Sequence, residues 1–127
     1  MKNIAIYNVK DDNAIHFLRQ HKAHKEHISI SPATHWYEAI TEDGETVGVL
    51  GILVRWTKLR VKCFYVAKEY RRQGIGASLL SFAVSQCEGV TLTAFATDDS
   101  RRLFERFGFE VKNVNKNGIT FLERKPL

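Results

Sequence analysis

Phe64-Tyr65-Val66-Ala67-Lys68-Glu69-Tyr70-Arg71-Arg72-Gln73-Gly74-Ile75-Gly76-Ala77-Ser78-Leu79-Leu80 is the stretch on which the fold turns. Before it, apolar residues alternate as in a strand. After it, Leu79, Leu80, Ala83, Val84 and Cys87 recur at helical spacing. A strand therefore ends near Ala67, a basic turn follows, and a helix opens on two glycines. The first turn of a helix has N–H groups without internal partners and carries the positive end of the dipole. Gly74 and Gly76 remove Cβ atoms that would block approach to those amides, and Arg71 and Arg72 add positive charge. The same glycines would also serve a tight turn with no ligand. The phosphate loop with Gly-Lys-Ser/Thr is absent. So is the dinucleotide pattern G-x-G-x-x-G, because Leu79 stands where its third glycine belongs.

Working outward, a first strand is expected over about residues 2–9, and a helix over roughly 12–22 with N-cap candidates in Asp11-Asp12-Asn13. Strands follow over about 35–41 and 46–56, joined through Asp43-Gly44, and a fourth over about 59–67. Gly89 closes the central helix. A fifth strand (about 90–96), a helix (about 98–106, capped by Thr97 or Asp98) and a hairpin turning at Asn117-Gly118 complete the chain. The order β-α-β-β-β-α-β-α-β-β makes an α/β (α+β) protein with a mixed, mostly antiparallel sheet flanked by helices. Its 127 residues fit one domain, 1–127, and 44% hydrophobic residues suffice for a core.

The net charge of +5 attracts nucleic acid, acidic protein or a phosphorylated cofactor alike. The cations are scattered rather than clustered among aromatics, so nothing in the sequence specifically supports nucleic acid. No stretch approaches the roughly 18 apolar residues of a membrane helix. The N-terminus lacks a signal peptide's pattern, and Cys63 and Cys87 lie within apolar runs, so a cytoplasmic protein with reduced thiols is expected.

The Phe64–Leu80 stretch resembles the central motif of the GNAT superfamily, Arg/Gln-x-x-Gly-x-Gly/Ala after the fourth strand, with Arg71, Gly74 and Gly76 at its fixed positions. Arg101 to Glu110 resembles the family's later segment, a helix ending in a Gly-Phe pair, here Gly108-Phe109. The resemblance implies an N-acetyltransferase that moves an acetyl group from acetyl-CoA to a primary amine by direct attack on the thioester. It also implies that Phe64, Tyr65 and Val66 hold the pantetheine arm on a splayed strand. Arg71, Arg72, Gln73, Gly74, Ile75, Gly76 and Ala77 would then surround the pyrophosphate. The acceptor is a small-molecule or macromolecular amine, and the oligomeric state stays open.

Two positions depart from that pattern. Phe104 stands where many members carry a proton-donating tyrosine, and Arg60 where some carry a glutamate base. A non-catalytic CoA-binding module acting through a nucleic-acid or protein partner is therefore the alternative. His35 and Glu38 are the replacement candidates for catalysis. Simple alternation puts Arg60, Lys62 and Phe64 on one face of the fourth strand, with Val61, Cys63 and Tyr65 on the other. Arg60 and Lys62 would then favour an anionic acceptor. Trp36 and Trp56 would stack on an acceptor ring or pack in the sheet. His21, His24 and His27, three apart, do not converge on a helix, and no metal is expected.

Overall fold

The structure, a computed structural model, describes residues 3–21, 34–55 and 57–126. Its elements are β1 (Ile4–Val9), α1 (Asp11–Gln20), β2 (Thr34–Thr41), β3 (Thr46–Arg55), β4 (Lys58–Val66), α2 (Ile75–Gln86), β5 (Thr91–Ala96), α3 (Asp98–Arg106), β6 (Glu110–Val114) and β7 (Thr120–Arg124). The order matches the sequence-based expectation, with one addition, a 3-10 turn over Lys68–Tyr70. Trp56, His24 and His27 lie outside the described residues. No helix among the described residues is long and apolar enough to cross a membrane.

The seven strands form one sheet in the order β1-β2-β3-β4-β5-β7-β6. Every pairing is antiparallel except β4 with β5. The register assigns side chains to two faces. Under α2, Ala39, Leu50, Ile52, Val61, Ala94 and Leu122 join Leu79, Leu80 and Ala83 of the helix in the larger core. Under α1, Ala14, Phe17 and Leu18 pack on Trp36, Val49 and Cys63. Cys63 and Cys87 are free and buried, and burial pushes both thiols up from their ordinary pKa.

Two expectations need correction. Asp11 and Asp12 do not cap α1. They lie within its first turn, the N-cap is Lys10, and no side chain bonds there. On β4 the alternation fails at a bulge: Val49 pairs with Tyr65 but Gly51 with Lys62, so Cys63 and Phe64 together oppose Leu50. Cys63 takes the left-handed conformation (φ 51) that makes room for the extra residue. Phe64 therefore turns to the α2 face with Val61, and Cys63 and Tyr65 join Arg60 and Lys62 on the α1 face.

Gly51 is required by Trp36, which is 1% exposed. A Cβ on Gly51 would lie 2.9 Å from Trp36 Cζ3 and 3.2 Å from Thr34 Cγ2. Gly51→Ala should destabilise the protein by about 1–3 kcal/mol through overpacking, read as a lower urea midpoint. An unchanged midpoint would mean that the indole does not rest on this glycine.

Candidate active site

The site begins where β4 and β5 part. Their parallel pairing runs from Lys58↔Thr91 to Val61↔Ala94, and β4 then continues to Val66 without β5 beside it. The Ala67 N–H donates to Val47 O at 2.9 Å, across toward β3. By the alternation of strand amides, Val66 directs its N–H and C=O the other way, into the gap. Arg71 confirms the direction, since its Nε donates to Val66 O at 2.9 Å and its guanidinium lies 5.1 Å from the Tyr65 ring centroid. The carbonyl is thereby occupied, and the N–H faces the gap.

The turn between β4 and α2 mixes extended and left-handed residues. Arg71 is extended (φ −70, ψ 158), Arg72 is left-handed (φ 66), and Gly74, the N-cap of α2, is left-handed again (φ 81, ψ 7). Left-handed residues set among ordinary ones turn successive N–H groups toward one side. No side chain caps α2, as none caps α1, but α2 lacks the acidic first turn that α1 has. The first internal bonds go from Ser78, whose N–H and Oγ both reach Gly74 O at 3.0 Å. The amides of Ile75, Gly76 and Ala77 precede it and have no partner within the helix. Gly76 lies over the gap's floor, where a Cβ would meet Phe64 Cζ and Leu103 Cδ2 at about contact distance, 3.4 Å. Tyr70 Oη donates to Glu45 at 2.6 Å and anchors the turn to the β2–β3 hairpin.

The α2 side of the gap is closed by aromatics. Phe104, 2% exposed, stands edge-on to Phe64 (5.8 Å between centroids) and Phe109 (5.1 Å). It is a core residue with no proton to give. The α1 side is more open and more polar. Lys62 Nζ lies 5.9 Å from the Trp36 ring centroid, and the Arg60 guanidinium 4.8 Å from that of Phe95.

His35 and Glu38 do not converge. His35 pairs with Ile52 and belongs to the α2 face near the start of β2, whereas Glu38 pairs with Val49 and belongs to the α1 face. Through Val49, Glu38 is level with Tyr65, two strands or about 10 Å across the sheet. It is buried and accepts from Thr46 Oγ1 at 3.3 Å. Burial pushes its carboxyl up, against smaller opposing effects from Thr46 and His16. One histidine that the sequence weighed only as a metal ligand lies closer to the gap: His21, after α1, meets Phe17 at a tilt (4.5 Å) and approaches Tyr65 (6.1 Å). A separate cleft of about 200 Å³ lies between β1 and the start of α2, lined by Asn3, Thr41, Tyr70, Gln73, Ile75 and Ser78. Among the described residues, no group of three or more His, Cys, Asp or Glu could hold a metal ion.

Arg72 is strained for its position, because a left-handed non-glycine residue costs about 1–2 kcal/mol. Arg72→Gly should raise folding stability by about 0.5–1 kcal/mol once glycine's greater unfolded-state entropy is subtracted. Urea denaturation measures it, and a loss of stability would show that the Arg72 side chain holds the turn together.

The same fold is found in known proteins. No curated protein matches the sequence significantly. Among solved structures, the ribosomal-protein-S18-alanine N-acetyltransferase of Escherichia coli superposes with a TM-score of 0.76 at 18% identity, over 96% of this chain and 93% of that one. The IAA acetyltransferase of Bacillus cereus gives 0.75 at 17% identity, over 96% and 99%. Escherichia coli ElaA gives 0.73 at 15%, over 98% and 100%. At such identities these likenesses concern the fold. The family model of the acetyltransferase (GNAT) domain matches residues 7–125, nearly the whole chain. The chain belongs to the GNAT family of acetyl-CoA-dependent N-acetyltransferases.

Proposed function

We propose that this chain acetylates a primary amine by direct attack on acetyl-CoA, with the cofactor seated between the start of α2 and the free edge of β4. The observation that carries this is the uncapped, acid-free first turn of α2, placed beside a strand whose neighbour has departed. Acetyl-CoA supplies a thioester carbon to which the amine nitrogen bonds as the C–S bond breaks.

The protein contributes position and charge. The amides from Arg72 to Ala77, with the Arg71 and Arg72 guanidinium groups nearby, suit a pyrophosphate. Phe64, Tyr65 and Val66 offer backbone groups to the amides of a pantetheine arm, as a neighbouring strand would. The Val66 N–H is aimed into the gap, where it can stabilise charge developing on a carbonyl oxygen. Holding both reactants in a partly closed cleft supplies much of the rate by positioning alone. Phe104 gives the leaving thiolate no donor, so its proton comes from water. Of the two candidate bases, Glu38 shares a face with Arg60, Lys62 and Tyr65. Its raised pKa suits it to take the amine's proton through water. His35, on the other face, is not assigned a role.

Ala77, the third residue of α2, separates binding from folding. An aspartate there would sit in the first turn, complement the dipole and fill the anion site from within. Ala77→Asp should leave stability unchanged or raise it by about 0.3–1 kcal/mol. Coenzyme A affinity, by isothermal titration, should fall by about tenfold or more, the equivalent of one charge-assisted hydrogen bond. Undiminished affinity in the folded variant would place the phosphates elsewhere.

A further inference from the structure

The β4–β5 gap opens between Val61↔Ala94 and the next residues along, Lys62 and Phe95. Lys62 shares a face with Arg60, and so does Phe95, which lies under the Arg60 guanidinium and pairs with Phe121. The mouth of the gap on the α1 face is thus bounded by two cations and two rings. Phe95 is 53% exposed, unusual for a phenylalanine in the middle of a sheet, and its ring lies 5.1 Å from that of Phe121. Among the described residues, no helix covers this half of the face, since α1 packs over β2 and β3.

Arg60 carries the charge that the described residues do not balance. Arg60 makes no ion pair among the described residues, and its Nε is buried with no hydrogen-bond partner. Burial, and then the like charge of Arg55, lower its pKa. Glu123 shares the face but is engaged by Lys58 at 2.9 Å, and Glu110 by Lys112 at 3.2 Å. Glu38, further across the sheet, is buried and bonded to Thr46. A half-exposed guanidinium without a counter-charge attracts an anion that docks beside it.

We propose that the acceptor is a small amine carrying both a carboxylate or phosphate group and a flat apolar body. It docks at the α1-face mouth of the β4–β5 gap, its anion on Arg60 beside Lys62 and its apolar part on Phe95 and Phe121. This rests on the chain acting as an acetyltransferase at that gap. The arrangement favours a low-molecular-weight anion over a lysine-rich peptide, which the fixed positive charges would repel.

The test uses matched probes on the coenzyme-A-saturated protein: phenylalanine against 2-phenylethylamine, and phosphoethanolamine against ethanolamine. Isothermal titration should give at least one anionic member a tenfold tighter dissociation constant than its partner. The pair that responds tells carboxylate from phosphate. Arg60→Met keeps the aliphatic stack on Phe95 without the charge, and its melting temperature checks folding. In it the ratio should fall to near one, and Arg60→Lys should retain most of it. Raising salt should shrink the wild-type ratio. Ratios near or below one for both pairs, no binding by either anion, or a ratio that survives Arg60→Met would overturn the proposal. Thiol release from acetyl-CoA across uncharged amines is measured in parallel. Turnover there without any preference for anions overturns the acceptor class alone. No release with any amine, while anion discrimination persists, counts against acetyl transfer instead.

Discussion

β4 and β5 hydrogen-bond through only four residue pairs before they separate, and the rest of the structure is arranged around that separation. A parallel pair left unpaired exposes backbone groups that must find other partners. The protein answers in three ways. The bulge at Cys63–Phe64 bends β4 and sends Phe64 down against Phe104 on the α2 face. Arg71 folds back to satisfy the Val66 carbonyl. The start of α2, at Gly76, settles on Phe64 and Leu103. What remains is one strand edge, one N–H and one helix end, all directed to the same opening.

The two helices packed on opposite faces show how charge sharpens that opening. α1 begins with Asp11 and Asp12, which neutralise its dipole locally. α2 begins with Ile75, Gly76 and Ala77, which do not, and it follows two arginines. Two left-handed residues, Arg72 and Gly74, are kept in the turn that feeds α2. Only the glycine is cheap there. Backbone strain held beside open amides recurs at binding sites and fits the seat proposed for the pyrophosphate.

Much of this was legible in the sequence, for identifiable reasons. The period change near Ala67, the glycine pair, and the Asp43-Gly44 and Asn117-Gly118 turns carry strong local signals, and the structure follows them to within a residue or two. The bulge carried none, because its left-handed residue is a cysteine rather than a glycine, and so Phe64 was assigned to the wrong face. Arg72 hides its conformation in the same way. The separation of His35 from Glu38 could have been found by counting, since residues an odd number apart on a strand face opposite ways. His21 could not: its approach to Phe17 and Tyr65 depends on how α1 crosses the sheet.

The central claim, that the parted strands and the start of α2 hold the cofactor together, is tested most directly by following backbone amides by NMR as coenzyme A is added. The account predicts that the largest shifts fall on Val66 and on the amides from Arg72 to Ala77, with Val66 alone of these responding to a pantetheine fragment that lacks the phosphates. Shifts centred instead on Asn3, Ile4 and Thr41, in the cleft beside β1, with Val66 unmoved, would contradict it.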